Sequence, residues 1–496
     1  MEHRVARRRQ AVYCLAAAAA VLAVCSKSSP LYPLNDWMDA NIFYTAGKAM
    51  MNGAVLYRDV FDHKGPLLYL VYGVGWLIDH TGFFGVWLIE IAAFAGFLYA
   101  GLRAVQAVAG PVHPAWVLLP GAAVAAGATF AHGGSAEELC LPLLAAPVWA
   151  ALRFFAPPPG QRQPLSLGLV ALLGAAAGCV LWVKFTMMGL FAGFALALAA
   201  GYLRAGWGKR LLQSIAAWLG GMAATLLPWL AYFGANGALA DFFGTYFGAN
   251  LFLYGGRTTG FAPAAAAMAV VQRLWWALHD APLPMLLAAA GAVWLLVRRQ
   301  PGCAGAVACM AGCLAVTAFA FGDYHIYYAL PLLVFAPLGI GPAAALVRRL
   351  PRLPAPARPA AVTAAAAAAV AFCLLTCRNA GQLLRPAGEL PQFRFAAILR
   401  QEGGGQLLNY GTLDGGFYTV TGQQPPCKYF CVTNLPLPQQ QQQQDALLAA
   451  GGVEWVVTRD AALSGRFPSY RCRAQAAYDG GEGQAVWYLY RRSIAV

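Results

Sequence analysis

The sequence predicts a mainly α-helical, polytopic transmembrane bundle with outer-surface interfacial helices and a small C-terminal α/β domain. The chain has 496 residues, of which 60% are hydrophobic and only 11% charged, and its mean hydropathy is +0.56. Soluble proteins carry roughly 25% charged residues. Long apolar runs recur, for example over 11–25 and 360–377. Such runs are stable in lipid, where helices satisfy their backbone groups internally.

The basic residues predict how the spans are oriented. They stand in alternate connections: Arg4, Arg7, Arg8 and Arg9; Arg103; Arg153 and Arg162; Arg204, Lys209 and Arg210; Arg298 and Arg299; Arg348, Arg349, Arg352 and Arg358. Arginine and lysine mark cytoplasmic loops. The N-terminus of this multi-pass cell-membrane protein is therefore predicted to be cytoplasmic and the C-terminal domain extracytoplasmic. The net charge of +14 then needs no nucleic-acid partner.

We predict about eleven spans of membrane length. They cover 11–27, 83–105, 114–131, 137–155, 166–183, 186–203, 211–233, 282–299, 302–321, 326–347 and 360–377. The first run has the basic start of a signal peptide, but no clean small-x-small cleavage site stands before Lys27. We therefore interpret it as a retained span.

Two further segments are predicted to lie on the outer surface. Segment 66–78 is apolar but short for a span of roughly 20 residues. Its Tyr69, Tyr72 and Trp76 fit the level of the lipid headgroups. Region 239–280 is rich in aromatic residues and predicts amphipathic helices.

The composition changes after Arg378, where long apolar runs stop and glycine and glutamine increase. We therefore predict a transmembrane domain over 1–377 and an extracytoplasmic domain over 378–496. Strand-like segments at 453–458 and 485–490 lie between glycine-rich turns, as in small α/β domains. The glutamine run 439–444 is typical of a polar loop or the start of a helix.

Three cysteines fall in this last region: Cys427, Cys431 and Cys472. A disulfide between two of them would require an oxidising side of the membrane, and three cysteines cannot all pair with one another. Most of the other cysteines lie in apolar runs and are expected to behave as small apolar residues.

Carboxylates in the first outer loop are the first candidates for chemistry. Asp39 is predicted at the membrane edge, where a carboxylate can accept a proton or hold a divalent cation. Asp36 lies three residues earlier, on the same face of a helix. For Asp36 a simple helix cap is the favoured alternative, whereas for Asp39 we favour a functional role.

The segment Phe61-Asp62-His63-Lys64-Gly65-Pro66 places a cation directly before a helix that begins with proline. Lys64 at this position can bind a phosphate at headgroup height, helped by the helix N-terminus. An interfacial lysine that binds any anionic lipid would look the same.

A second acidic pair, Glu137 and Glu138, follows Gly133-Gly134-Ser135-Ala136 in another predicted outer loop. Acidic residues are favourable in the first turn of a helix, so helix capping is the alternative to function. Because this pair is predicted to lie on the same side of the membrane as Asp39, we favour a functional role for it.

Four further candidate residues lie on the predicted outer side: Lys184, Arg257, Asp323 and His325. Lys184 has almost no loop around it and is expected either to reach the interface or to pair with a carboxylate. Segment 322–328 is aromatic and polar and is also typical of an interfacial aromatic belt. Glu90 falls inside a predicted span, where a functional and a hydrogen-bonded structural role are equally expected.

The sequence contains no nucleotide-binding signature of the GxxxxGK[ST] or GxGxxG type, no GxSxG and no HExxH. An ATP-driven pump is therefore disfavoured. A donor that is already activated and dissolved in the membrane would need none of these motifs.

Together these segments resemble the GT-C superfamily of polytopic glycosyltransferases, in the branch of protein mannosyltransferases and aminoarabinose transferases. The resemblance is carried by Asp39-Ala40-Asn41-Ile42-Phe43, by Gly53 to Tyr57 with Asp59, and by Asp62-His63-Lys64-Gly65-Pro66-Leu67. The loop 133–138 and the cluster 323–328 match in placement. The resemblance covers about residues 1–350 in organisation, and the C-terminal domain adds little to it.

The resemblance implies a polyprenyl-phosphate-linked sugar donor and a cell-envelope glycan, lipid or protein as acceptor. It implies Asp39 as the catalytic base, Glu137 and Glu138 as a second acidic element, and Lys64 as a phosphate ligand. The substrate-binding set is then Asp36, His63, Lys64, Lys184, Arg257, Asp323 and His325. Because Ala40 replaces the second acid of the family's usual Asp-Glu pair, metal dependence is left open, with a divalent ion as the candidate cofactor.

Two other classes of protein compete with an inverting glycosyltransferase. A transporter or lipid flippase would use charges within its spans and often has repeated halves. A non-catalytic membrane scaffold would present the C-terminal domain without needing an outer acidic cluster.

Overall fold

A computed structural model describes residues 2–254, 263–320, 323–349, 354, 357–479 and 484–493. These described residues are mainly helical, and they contain one small sheet near the C-terminus. The predicted fold class is confirmed. Arg257 lies outside the described residues.

The helices of the first part of the chain are α1 (Glu2–Cys25), α2 (Met38–Met51), α3 (Pro66–Ile78), α4 (Phe84–Ala109), α5 (Leu118–Ala125), α6 (Ala136–Phe155), α7 (Leu167–Leu181), α8 (Gly189–Arg204) and α9 (Gly208–Ala235). They are followed by α10 (Leu239–Phe242), which continues as a π-helix over Phe243–Tyr254, and by α11 (Pro263–Asp280), α12 (Pro282–Val297), α13 (Pro301–Phe319), a 3-10 helix (Ile326–Gly339), α14 (Ile340–Val347) and α15 (Ala357–Thr376).

Eight helical segments of the described chain are long and apolar enough to cross a membrane, or up to nine if the α11–α12 pair is one broken span. These segments match eight of the predicted spans. The other three predicted spans correspond to α5 and α7, which are shorter apolar helices, and to α12, which meets α11 at 111°. Segment 66–78 is a helix with the predicted bounds.

Local signals explain where several helices begin. Ser135 caps α6 by accepting a hydrogen bond from the backbone N–H of Glu138, and Ser166 caps α7 in the same way through Leu169. These caps satisfy donors that the first helical turn leaves open. Proline stands at the start of α3, α12 and α13, where its missing N–H costs nothing.

The chain divides into two compact units. One comprises Met1–Ser26, Ile89–Trp229 and Thr258–Gly381, and the other comprises Lys27–Leu88, Leu230–Arg257 and Gln382–Val496. The second unit thus groups the first predicted outer loop with the C-terminal region. The sequence-based division at residue 378 stays a prediction. Each compact unit is instead made of three separate stretches of the chain.

The C-terminal part of the second unit has helices α16 (Pro391–Gln401), α17 (Phe417–Thr421), α18 (Pro438–Ala449) and α19 (Leu463–Arg466). Its strands are β1 (Leu407–Tyr410), β2 (Trp455–Thr458), β3 (Tyr470–Asp479) and β4 (Gln484–Arg492). They form a mixed sheet in the order β1-β2-β4-β3, with β1 parallel to β2 and the other pairs antiparallel. Tyr410, Leu448, Val456, Tyr470 and Tyr490 are among the residues of its core. The predicted small α/β domain is therefore present.

The glutamine run lies inside α18, so the helical alternative is correct. Gln440 and Gln444 are buried. The Gln440 side chain accepts from the backbone N–H of Thr433 at 2.7 Å and donates to the carbonyl of Leu435 at 2.8 Å. Gln444 donates to the carbonyl of Tyr429 at 2.8 Å and accepts from the N–H of Gly411 at 2.9 Å. These two glutamines tie α18 to the loops around it.

Helix α2 is bonded along one face to the C-terminal part of the same unit. Asn41 accepts a hydrogen bond from the Thr419 hydroxyl at 2.8 Å, and the Thr45 hydroxyl donates to Asp414 at 2.7 Å. One turn further, the buried Lys48 ammonium donates to the carbonyls of Tyr418, at 2.8 Å, and of Gln423. The three α2 residues are spaced at i, i+4 and i+7, so they share one face of the helix.

The burial of Lys48 is expected to make the free energy of unfolding depend on pH. Burial lowers the pKa of Lys48 from its ordinary 10.5 to about 8, and the Asp414 charge only partly opposes the effect. The unfolded chain then binds the Lys48 proton more tightly than the folded chain. Stability should therefore rise with pH between 8 and 10.5, by about 3 kcal/mol at most.

The test compares the unfolding temperatures of the wild type and Lys48→Met across this pH range. The wild type should gain stability relative to the variant as the pH rises, because methionine carries no proton to lose. A constant difference between the two proteins at all pH values would contradict the assignment.

Candidate active site

Three consecutive residues of the second unit form a chain of close polar contacts. Lys64 Nζ lies 3.0 Å from His63 Nε2, and His63 Nδ1 lies 3.2 Å from Asp62 Oδ1. An ammonium group can only donate, so Nε2 must accept and the imidazole proton is on Nδ1, facing Asp62. The chain thus runs from carboxylate through neutral imidazole to ammonium.

The electrostatics agree with this arrangement. Burial raises the pKa of Asp62, but the hydrogen bond and charge of His63 and the charge of Lys64 outweigh it, so the carboxyl pKa lies below its usual range. Burial, followed by the Lys64 charge, lowers the pKa of His63 against the pull of Asp62 and Asp39. Asp62 is therefore ionised and His63 neutral at neutral pH, and Lys64 is the cation of the group.

The surrounding structure holds this segment in place. The Tyr69 hydroxyl, on the first turns of α3, donates to Asp62 Oδ2 at 2.8 Å and accepts from the backbone N–H of Lys64 at 2.9 Å. Asn250 donates to the carbonyl of His63 at 2.6 Å. The Tyr57 hydroxyl donates to the carbonyl of Lys64 at 2.7 Å. The loop is therefore fixed at both its side chains and its backbone.

Tyr57 has an unusual backbone conformation, with φ at 67°. Non-glycine residues rarely adopt such values, and the strain must be offset elsewhere. Tyr57 is buried, stacks on Phe233 with ring centroids 5.6 Å apart, and also stacks on Phe242. The aromatic packing stabilises the strained turn that leads into the Asp62–Lys64 segment.

Asp39 and Asp36 differ in their surroundings. Asp39 lies half-buried in the first turn of α2, close enough to His63 for their charges to interact. Asp36 pairs with the buried Lys27 at 2.6 Å and accepts a hydrogen bond from the Tyr478 hydroxyl. It does not cap α2, whose N-cap position is Trp37, so the capping alternative for Asp36 was wrong.

In the first unit, Lys184 pairs with Glu137. The side chains are only 11% and 3% exposed, so the alternative of pairing with a carboxylate is correct for Lys184. Its Nζ also lies 3.5 Å from the centre of the Tyr328 ring, a cation–π contact. His325 stacks on Tyr327 with centroids 5.6 Å apart. Segment 323–328 and the Glu137 helix are thus joined through Lys184.

Glu138 is buried and bonded to its own loop. Its Oε2 accepts from the backbone N–H of Gly134 at 2.8 Å, while its backbone N–H donates to Ser135 Oγ at 3.0 Å. It also interacts electrostatically with Glu90, which accepts from Ser26 Oγ at 2.5 Å. Glu138 and Glu90 are both fully buried. Glu90 is therefore hydrogen-bonded, as the structural alternative predicts.

Asp323 is exposed and lies close enough to Arg273 for their charges to interact. Among the described residues, no group of three or more histidine, cysteine, aspartate or glutamate side chains is arranged to hold a metal ion. A divalent-ion site is therefore not formed by the residues that the structure describes.

The structure adds site residues that sequence reasoning did not select: Asp62, Tyr69, Tyr57 and Asn250. Asp62 lies within segment 61–66, where an aspartate next to a histidine is a signal for such a pair. The apolar pattern of 66–78 places Tyr69 at the level of the headgroups. It does not indicate that the Tyr69 hydroxyl bonds the segment before the helix. Asn250 lies far away in the sequence, so only the fold brings it to His63.

These features define the structural class. The described chain is a largely helical bundle with charged segments between its apolar helices and a small C-terminal α/β region, and it has the fold of ArnT. Two solved structures of ArnT from Cupriavidus metallidurans are similar over nearly the whole chain. The structure bound to undecaprenyl phosphate matches with a TM-score of 0.62 and 15% identity, covering 95% of this chain and 96% of that one. The apo structure matches with a TM-score of 0.64 and 15% identity, covering 96% and 97%.

No protein-family model matches the sequence, and no curated protein matches it significantly. The likeness to ArnT is therefore one of fold, and it agrees with the resemblance that the sequence motifs predicted.

Gly133 provides a stability prediction for the Glu138 loop. Its φ is 84°, and a Cβ there would lie 2.2 Å from Ser26 Oγ, the group that bonds Glu90. Gly133→Ala should destabilise the protein by about 1–3 kcal/mol, measured as a lower unfolding temperature. Gly160→Ala is the matched control, because nothing lies within 4 Å of a Cβ at Gly160. Equal effects of the two substitutions would contradict the steric argument.

Proposed function

We propose that this protein is a GT-C-type membrane glycosyltransferase, which moves a sugar from a polyprenyl-phosphate donor to an extracytoplasmic acceptor hydroxyl with inversion. The fold supports this proposal, since one of the similar ArnT structures is bound to undecaprenyl phosphate. The arrangement of Asp62, His63 and Lys64 supports it further. The half-buried Asp39 interacts electrostatically with His63, and the Lys64 ammonium is bonded to the same imidazole.

Lys64 is suited to bind the donor phosphate. Its ammonium has three hydrogen-bond donors, of which the neutral His63 takes one. Ionised Asp62 sits behind the imidazole and fixes its tautomer. A phosphate would therefore meet a preorganised cation, the arrangement that stabilises developing negative charge most strongly.

Asp39 is proposed as the base. It would take the proton of the acceptor hydroxyl while that oxygen attacks the anomeric carbon of the donor. The bond between the anomeric carbon and the phosphate oxygen breaks, and its electron pair leaves with the phosphate. An oxocarbenium-like transition state and attack from the opposite face would give inversion. Lys64 would stabilise the departing polyprenyl phosphate.

The acidic and basic residues of the first unit keep proposed supporting roles. Glu137 holds Lys184 over the Tyr328 ring, so Lys184 is proposed to bind substrate as part of a compensated pair rather than as an isolated charge. Glu138 is proposed to keep the 133–138 loop in shape through its bond to Gly134. No step is assigned to a metal ion, because the described residues do not form a metal site.

The first functional prediction concerns Asp39. Asp39→Asn should reduce sugar transfer by about 10²–10⁴-fold, the contribution of a general base, while expression stays unchanged. The measurement uses membranes with radiolabelled polyprenyl-phosphate sugars. Glu389→Gln is the matched control, since its exposed pair with Arg385 is expected to contribute little. Full activity of Asp39→Asn would reject the assignment.

The second functional prediction concerns Lys64. Lys64→Met should reduce transfer by about 10²–10³-fold and should weaken donor binding, because the phosphate loses its cation. Lys209→Met is the control, since Lys209 is exposed in a predicted cytoplasmic connection. Unchanged transfer and donor binding in Lys64→Met would exclude the proposed phosphate contact.

The same assay separates the alternatives. Transfer of labelled sugar to an acceptor supports the enzyme. Movement of the labelled lipid across the membrane without transfer would support the flippase instead.

A further inference from the structure

Three cysteines meet where the first and the last membrane helix end. Cys25 is the last residue of α1, Cys373 lies in the last turns of α15, and Cys377 directly follows that helix. The Cys25 thiol contacts the thiols of both Cys373 and Cys377. Cys25 and Cys373 are fully buried, and Cys377 is partly buried. All three belong to the first unit.

The backbone around these cysteines is also joined. The Asn379 amide donates to the carbonyl of Cys25 at 2.7 Å and to the carbonyl of Ala131 at 2.8 Å. The Cys377 thiol lies 3.9 Å from the same Cys25 carbonyl. Asn379 therefore fixes the chain just beyond Cys377 against the last residue of α1. Of the two thiols on the α15 side, Cys377 is the one that also contacts the Cys25 backbone.

Two chemical readings of a three-thiol cluster are a metal site and a disulfide. The described residues contain no group of three or more histidine, cysteine, aspartate or glutamate residues arranged for a metal ion. The alternating basic connections predict that α1 and α15 both end on the side opposite the cytoplasm, where disulfides persist. Both arguments favour thiol–disulfide chemistry.

We propose that Cys25 and Cys377 form a disulfide that links the first and last spans. The Sγ–Sγ bond forms as both thiols lose their hydrogens. The two electrons and two protons pass to the disulfide of an extracytoplasmic thiol oxidant, which is reduced to a dithiol. Because Cys25 is buried in the folded protein, oxidation takes place before α15 packs against α1. Cys373 stays a thiol one helical turn away. This proposal is independent of the proposed glycosyl transfer.

Such a link would close a loop that contains almost the entire transmembrane part of the chain. Disulfides across long loops restrict the unfolded chain most strongly. The link would also hold α15, most of which is exposed in the structure, to the rest of the first unit.

The test uses the full-length protein in its native membranes. Accessible and denaturant-exposed thiols are alkylated with N-ethylmaleimide without reductant, and the digest is analysed by mass spectrometry. We expect a linked peptide pair containing Cys25 and Cys377, 2 Da lighter than the sum of the two reduced peptides. The pair should persist in Cys373→Ser and disappear in Cys377→Ser. Cys303, buried in α13, should be alkylated throughout and serves as the internal control.

Recovery of Cys25 and Cys377 as alkylated thiols would overturn the proposal, and a Cys25–Cys373 link would overturn the assigned pair. A second measurement does not depend on peptide recovery. Dithiothreitol should lower the unfolding temperature of the wild type but leave that of Cys377→Ser unchanged. An equal response of both proteins would also overturn it.

Discussion

The structure depends on one constraint: a charge held away from water must have a partner. Lys27 and Asp36 are 2.6 Å apart with side chains only 1% and 4% exposed, and Lys184 and Glu137 are paired in a similarly enclosed place. An unpaired charge in such a site would cost several kcal/mol. In each of these two pairs, one charged residue therefore fixes the position of the other. These pairs hold the segments that carry them in defined positions.

Within this constraint, the charged residues separate into two kinds. Lys27, Asp36 and Glu137 are compensated directly by an opposite charge, and their contacts explain them structurally. The segment around Lys64 is different, because a neutral imidazole stands between the ammonium and the carboxylate. That arrangement holds the ammonium in place through a hydrogen bond to a neutral group. A fixed ammonium is a suitable ligand for a phosphate, which is why the arrangement supports the phosphate assignment.

The sequence predicted the fold class well because membrane burial leaves a strong, local signal. All predicted spans correspond to helices, since twenty apolar residues have few alternatives in lipid. It also placed Lys64 and His63 in a candidate site, because the motif is contiguous. It could not show that Asn41, Thr45 and Lys48 bond the C-terminal region. Those contacts join residues more than 360 positions apart, and no periodicity records them. The C-terminal region, which adds little to the family resemblance, thus supports the helix that carries Asp39.

The glutamine helix has a consequence for how this chain can vary. Repetitive stretches commonly gain or lose a unit, and in a solvated linker such a change is harmless. Here Gln440 and Gln444 are anchored to the loops around them. Removing one glutamine before them would turn the following residues by about 100° around the helix axis. Position 440 would still hold a glutamine, but Asp445 would take the position of Gln444, and the amide donor there would be lost. The number of glutamines in the run therefore determines which side chains of α18 contact the neighbouring loops.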